Sequence, residues 1–190
     1  KTTTTSMIAS VLLAGDADPT ISVGGILPSI GGNIRVGGSN VFLTEACEYT
    51  NSFLHFFPTV GIILNIEEDH MDFFKDLNDI RRSFRRFAEL LPTQGLLIIN
   101  SDIEDYEEIT EGLACRVVTF GSAEAADYRA DDITYDELGH PSFRLVRKNG
   151  KGTRIRLQVP GEHNVFNALA SIAAAEALQI PDEAVEKGLL

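Results

Sequence analysis

Val60-Gly61-Ile62-Ile63-Leu64-Asn65-Ile66-Glu67-Glu68-Asp69-His70-Met71-Asp72 runs an apolar stretch of strand length directly into an Asn, three acids and a His. A short, continuously apolar run with a polar exit reads as a strand buried on both faces, as in a parallel sheet covered by helices. In such sheets ligands bind outside the carboxyl ends of the strands. Hard oxygen donors beside an imidazole at that place suit a divalent cation that holds phosphates. Taken singly, a histidine after a strand is usually structural, and neighbouring acids can simply solvate a loop. The combined Asn-x-x-x-Asp-His-x-Asp pattern makes His70 a candidate ligand, with Asp69 as the partner that orients its ring.

The same rhythm extends on both sides. Asp76 caps a helix reaching residue 91, in which Leu77, Ile80, Phe84, Phe87 and Leu91 recur at helical spacing before Pro92 ends it. Arg81, Arg82, Arg85 and Arg86 form its polar face, which reads as solvated. Leu96–Asn100 is a second continuous apolar strand, residues 103–113 an acidic helix, and Arg116–Phe120 a further strand. Upstream, residues 1–13 read as a helix with Met7, Ile8, Val11 and Leu12 as its apolar stripe and Gly15 as its stop. Residues 20–23 form a short strand. Residues 24–39, with six glycines and one proline, read mostly as loop. Val41-Phe42-Leu43 is a short buried strand ending at Thr44-Glu45.

Strands alternating with helices predict an α/β fold, a mostly parallel P-loop-type sheet flanked by helices. After Gly121 the pattern changes. Residues 132–135, 142–147 and 153–159 read as strands joined by Gly-containing turns, among them Lys148-Asn149-Gly150-Lys151-Gly152. They predict a small antiparallel β subdomain over residues 128–160. Residues 163–178 form an Ala-rich helix, and Asp182 caps a final one.

A chain of 190 residues can build one good-sized core. Its net charge of -12 argues against a broad nucleic-acid or anionic-membrane footprint. A phosphorylated small molecule is a different matter, since backbone N–H groups and one or two cations suffice for it. Cys47 and Cys115 lie far apart in no metal-ligand spacing and fit free thiols in a reducing cytosol, with a disulfide as the alternative. Cys47 has no evident base partner and reads as a small, fairly buried side chain rather than a nucleophile. No apolar run approaches transmembrane length and no signal-peptide pattern opens the chain, so a cytoplasmic protein without membrane insertion is expected. The chain opens on Lys rather than Met and reads as part of a longer protein.

Two further motifs bracket the His70 segment. Lys1-Thr2-Thr3-Thr4-Thr5-Ser6 matches the Lys-[Ser/Thr] end of a P-loop, whose glycines wrap phosphates and whose hydroxyl binds magnesium. It is equally a Thr-rich helix start with good capping chemistry. In Thr44-Glu45-Ala46-Cys47-Glu48-Tyr49-Thr50-Asn51-Ser52-Phe53, Glu45 stands at a strand's carboxyl end. An acid there can hold magnesium or merely be solvated. In Gly161-Glu162-His163-Asn164-Val165-Phe166-Asn167-Ala168, His163, Asn164 and Asn167 share the first turn of a helix. Asn offers both a donor and an acceptor, which suits an adenine edge; N-capping accounts for one of the three more readily than for all.

Together these motifs resemble the central ATP-binding domain of the Mur ligases, and the resemblance covers nearly the whole chain. Lys1-Thr2-Thr3-Thr4 is similar to the end of the family's Gly-Lys-Thr-Thr/Ser loop, Asn65 through Asp72 to its Asn-Ile-x-x-Asp-His-[Met/Leu]-Asp signature, and Gly161 through Ala168 to its Gly-x-His-Asn-x-x-Asn-Ala motif. Glu45-Ala46-Cys47-Glu48 through Ser52-Phe53-Leu54 looks like the segment of the alanine-adding branch. No Lys occurs between Lys75 and Lys148, where later ligases of the family carry a carbamylated one.

The resemblance implies an ATP- and Mg2+-dependent ligase of peptidoglycan synthesis that joins L-alanine to UDP-N-acetylmuramate through an acyl phosphate. It implies Lys1 on the β/γ-phosphates, Thr2 and Glu45 on one magnesium ion, His70 on a second, Thr3 in the phosphate loop, and His163, Asn164 and Asn167 at the adenine. It also implies that residues 1–190 are the central domain of a longer chain. The P-loop glycines, a UDP-binding domain before Lys1 and an amino-acid-binding domain after Leu190 would then lie outside it, leaving the fragment inactive. The alternatives are a ligase that recycles murein tripeptide, another Mur-type ligase, and a P-loop nucleotide switch with no ligase activity.

Overall fold

The computed structural model describes residues 1–148, 150 and 152–190. Among them the order is α1 (Thr2–Ala14), β1 (Thr20–Leu27), β2 (Gly32–Arg35), β3 (Phe42–Thr44), β4 (Val60–Ile63), α2 (Leu77–Glu89), β5 (Leu96–Asn100), α3 (Glu107–Thr110), β6 (Arg116–Phe120), β7 (Tyr128–Tyr135), β8 (Pro141–Arg147), β9 (Arg154–Arg156), α4 (His163–Ala177) and α5 (Asp182–Leu189). Short 3-10 segments lie at Pro28–Ile30 and Tyr49–His55.

The apolar strands do what continuous apolar runs require. Along β5, Leu96 and Ile98 point into a core made with α1 and α4, against side chains such as Val11, Leu12, Leu169 and Ile172. Leu97 and Ile99 point the other way, into a core with Phe87 and Leu91 of the α2 region and Ile109 of α3. Successive strand side chains alternate between faces, so a strand covered on both must be apolar at every position. In α4 the buried alanines, Ala168, Ala170 and Ala173 through Ala175, let the helix approach both the sheet and α1 closely.

The main sheet has the order β4-β5-β6-β7-β8-β9, parallel from β4 to β7 and antiparallel from β7 to β9. The antiparallel strands therefore continue the parallel ones rather than standing apart. The link from β6 to β7 is too short for the usual crossover of a dozen or more residues. Their pairing is limited to Phe120 opposite Tyr128, and the chain then folds back antiparallel. Of the turn between β8 and β9, Asn149 and Lys151 lie outside the described residues.

A second sheet has the order β2-β1-β3. Residues 24–39 are thus not mainly loop. β1 runs on to Leu27, the chain turns with Gly31 at φ 67, and β2 pairs back antiparallel. Gly31 sits in the left-handed region, open to glycine at little cost. The third strand is Phe42–Thr44 and is not buried as expected: Phe42 is exposed, and Leu43 and Thr44 are only partly covered.

Asp76 caps α2 as expected, accepting the Asp79 N–H at 2.8 Å. Two arginines of its polar face do more than meet solvent. Arg81 donates to the carbonyls of Glu104 and Asp105, and Arg85 to those of Ile109 and Glu111. The acidic stretch they tie down is helical only over Glu107–Thr110, interrupted by left-handed Asp105 and Gly112. Pro181, not Asp182, occupies the cap position of α5. Among the described residues no helix is long and apolar enough to cross a membrane.

Candidate active site

β3 and β4 are edges of different sheets, and between them opens a cleft of about 560 Å³. Its walls are the apolar residues of both strands. Lys1, Glu45, Glu48, Asn65 and Asp69 line it as well, so the polar exits of both strands border one space.

Glu45 follows directly on β3. The parallel pairing of β1 with β3 sets Ser22 opposite Thr44, which brings Gly24 beside Glu45. Glu45 Oε1 accepts the Gly24 N–H at 2.7 Å, and Oε2 accepts the Thr2 hydroxyl at 3.2 Å. A Cβ on Gly24 would stand 2.9 Å from Oε2, so glycine is what permits this approach. Thr2 opens α1, and its proximity to Glu45 joins two residues expected to share an ion. Thr3 is exposed on the same turn, while Thr4 is buried.

Lys1 Nζ pairs with Glu48 Oε2. The other oxygen of Glu48 lies 3.8 Å from His70 Nε2, and Asp69 Oδ2 lies 3.6 Å from the same nitrogen. Ligand-capable atoms of Glu48, Asp69 and His70 all fall within 4.8 Å of one another. Two carboxylates with an imidazole form a donor set for a divalent cation, the carboxylates suiting magnesium or manganese and the imidazole the later transition metals. Glu48 has no role in the motifs legible from sequence. Its signal was a second acid three residues after Glu45, too common a pattern to single out.

Asp69 does not orient the ring by hydrogen bonding, contrary to expectation. Its Oδ1 instead accepts the His70 main-chain N–H at 2.7 Å. His70 itself has φ 54, in the left-handed region. Its ring stacks on Tyr49, with centroids 4.5 Å apart and planes inclined by 28°. The Tyr49 hydroxyl donates to Asp72 Oδ2 at 2.8 Å, and this bond holds the phenol above its ordinary range of protonation. Cys47, expected to be buried, is exposed; Cys115 is the buried thiol.

The third motif lies where α4 begins against α1. Asn164 is buried and fully engaged: its Nδ2 donates to the Pro160 carbonyl at 2.8 Å, and its Oδ1 accepts from Asn167 at 2.9 Å. Asn167 Oδ1 in turn accepts the Thr4 hydroxyl at 2.9 Å. This chain of bonds ties the first turn of α4 to α1, a job the sequence did not announce. His163 is exposed. Its ring lies over Gly161, where a Cβ would come within 2.7 Å of Cε1 and where φ is +100. Glycine is required there twice, for the turn and for the ring above it.

The chain is similar to known proteins. The Mur ligase middle domain matches residues 1–175. The chain is 58% identical over 190 residues to UDP-N-acetylmuramate–L-alanine ligase of Lachnospira eligens, covering 100% of this chain and 41% of that protein. The corresponding ligase of Agathobacter rectalis is 53% identical over 189 residues, with 100% and 41% covered. Thus the chain spans about two fifths of the length of these relatives.

Among solved structures, the UDP-N-acetylmuramate–alanine ligase MurC of Thermotoga maritima superposes with a TM-score of 0.83 at 29% identity, over 100% of this chain and 42% of that one. The UDP-N-acetylmuramate:L-alanyl-gamma-D-glutamyl-meso-diaminopimelate ligase of Neisseria meningitides gives a TM-score of 0.87 at 28% identity, over 99% and 61%. A profile match over most of the chain, close sequence relatives and the shared fold agree, and the chain belongs to the Mur ligase family as a middle domain.

Proposed function

We propose that this chain is the ATP-binding middle of a cytoplasmic ligase that joins L-alanine to UDP-N-acetylmuramate in peptidoglycan synthesis. The observation that carries the reading is the meeting of Lys1, Glu45 and Glu48 at one cleft, with the Thr2 hydroxyl bonded to Glu45 and the His70 ring beside Glu48. The similarity to alanine-adding ligases, at 58% and 53% identity, supports the choice of substrates. An acidic surface of net charge -12 offers nucleic acid little.

In the reaction we propose, the γ-phosphoryl group of ATP passes to the lactyl carboxylate of UDP-N-acetylmuramate, releasing ADP and leaving an acyl phosphate. The amine of L-alanine attacks the acyl carbon, phosphate departs, and the nitrogen loses a proton as the amide forms. Magnesium, when bound, supplies positive charge against the phosphates. Thr2 and Glu45 fit one such ion by their shared oxygen environment, and His70 with Glu48 fits a second. Lys1 would exchange Glu48 for the β/γ-phosphates, lowering the cost of charge moving onto the transferring group. His163 would meet the adenine end, on a helix start that Asn164 and Asn167 hold in place.

We further propose that the phosphate-wrapping glycines lie just ahead of Lys1 in the full protein, between a UDP-binding domain and this one. An amino-acid-binding domain would follow Leu190. The cleft supports this: two edge strands flank an apolar slot, the setting that one more strand would complete.

Likeness to a ligase named for a tripeptide acceptor favours a second reading, recycling of murein tripeptide onto the same nucleotide. Phosphate release by the full-length protein with ATP, magnesium and UDP-N-acetylmuramate separates the two. Release that depends on L-alanine is expected. Release only with tripeptide would move the protein to the recycling reaction, and release with neither would leave a nucleotide-binding module without ligase chemistry.

A further inference from the structure

A histidine that holds a metal is normally fixed by a hydrogen bond from its other ring nitrogen to a carboxylate or carbonyl. Without one, the imidazole torsion is broad and roughly two-fold. Among the described residues no hydrogen bond reaches the His70 ring. The nearest carboxylate oxygens, at 3.6 and 3.8 Å from Nε2, stand outside hydrogen-bonding range. What touches the ring face is Tyr49.

Tyr49 is itself held on several sides. Its hydroxyl donates to Asp72 at 2.8 Å, and its edge meets Phe73 at 6.2 Å. Phe73 packs edge-on against Phe74 at 4.9 Å, and Phe74 is buried. The next two residues, Thr50 and Asn51, are left-handed at φ 55 and 58, and the Asn51 side chain accepts the hydroxyl of Ser83 from α2. On the opposite side, the His70 carbonyl accepts the N–H groups of Phe73 at 2.9 Å and Phe74 at 3.0 Å. Two non-glycine residues in left-handed backbone thus follow Tyr49, and His70 is a third. Each costs on the order of 1–3 kcal/mol, and such strain persists where a site needs it.

We infer that Tyr49 is a positioning residue for His70: its stacked ring, anchored on Asp72, sets the imidazole plane so that Nε2 faces the space shared with Glu48 and Asp69. The stack does the work of the absent hydrogen bond and leaves both ring nitrogens free. This rests on His70 as a metal-holding residue.

The test compares Tyr49→Ala, Tyr49→Leu, Tyr49→Phe and His70→Ala in the full-length protein. Manganese binding with a non-hydrolysable ATP analogue is followed by paramagnetic resonance, and the His70 ring protons by NMR. Tyr49→Ala and Tyr49→Leu are expected to weaken manganese binding by ~10-fold or more, the effect of losing a metal ligand's support. Their His70 ring protons should leave the shielded position above an aromatic face. The KM for L-alanine should stay unchanged. Tyr49→Phe keeps the stack and should retain binding to within ~5-fold, having lost one exposed hydrogen bond. Tyr49→Leu keeps the bulk, so it reads the stack apart from packing if Tyr49→Ala folds poorly. Wild-type manganese affinity in Tyr49→Leu, with affinity lost in His70→Ala, would overturn the inference and leave the metal reading standing. Wild-type affinity in His70→Ala would overturn both.

Discussion

The start of α4 and the exit of β4 are built on opposite principles. At the start of α4, the polar side chains Thr4, Asn167 and Asn164 form an unbroken series of hydrogen bonds ending on a main-chain carbonyl, with Asn164 buried. At the β4 exit, His70 sits in strained backbone, half exposed, held by a stacked ring and flanked by carboxylates it does not bond. The first arrangement satisfies these side chains from within the protein. The second leaves the His70 ring without a hydrogen-bond partner among the described residues, beside carboxylate oxygens at 3.6 and 3.8 Å. Residues of similar polarity therefore divide by whether their partners are already in the protein.

That contrast breaks most decisively at His70. His70→Ala is expected to lower ligase turnover in the full-length protein by ~100-fold or more while leaving the unfolding temperature nearly unchanged. A large loss of stability with turnover intact would reverse the roles assigned to the two regions. Next in size is Asn164→Ala, which strands the Pro160 carbonyl and the Asn167 amide. A buried polar group left unpaired costs ~1–3 kcal/mol, read as a drop of roughly 2–4 °C per kcal/mol in a domain of this size. Unfolding by calorimetry should register it, and an unchanged midpoint would mean the chain of bonds is ornamental.

Gly24→Ala sharpens the comparison on the Glu45 side, because the new methyl crowds a carboxylate that accepts the Gly24 N–H. Turnover should fall by ~10-fold, the scale of a small misplacement near a reacting group, with stability affected less than in Asn164→Ala.

The smallest effect is alkaline. Burial, followed by the Glu176 carboxylate, raises Tyr128, and the Asp72 hydrogen bond raises Tyr49. A phenol raised on folding stabilises the protein fully below its unfolded value, ~10, and loses that contribution as pH climbs through the folded value. Stability should therefore decline above about pH 10. Tyr128→Phe should blunt the decline more than Tyr49→Phe, because its phenol is the more buried; equal blunting would count against the core-versus-site distinction.

Legibility followed the same division. Leu96–Asn100 was readable to the residue because a strand covered on both faces must be apolar, and Arg116–Phe120 from its place in the alternation of strand and helix. The β1–β2 hairpin was not, since its glycines read as loop while main-chain pairing leaves no mark in the side-chain pattern. Lys1, Thr2, Glu45 and His70 were legible as candidates through residue type at strand exits and a helix start. Tyr49 was not, because nothing in Glu48-Tyr49-Thr50 foretells a turn that lays its ring on His70.

By itself the sequence determined the alternation of strand and helix and the chemistry available at each strand exit, because these follow from local periodicity and side-chain type. Only the tertiary structure decided that Glu48 faces both Lys1 and His70, that Asp69 turns back on its own main chain, and that Asn164 and Asn167 are engaged by the fold. Those outcomes depend on distances between segments remote in the chain, and a hydrogen bond or ion pair exists only where packing brings its two partners within about 3–4 Å.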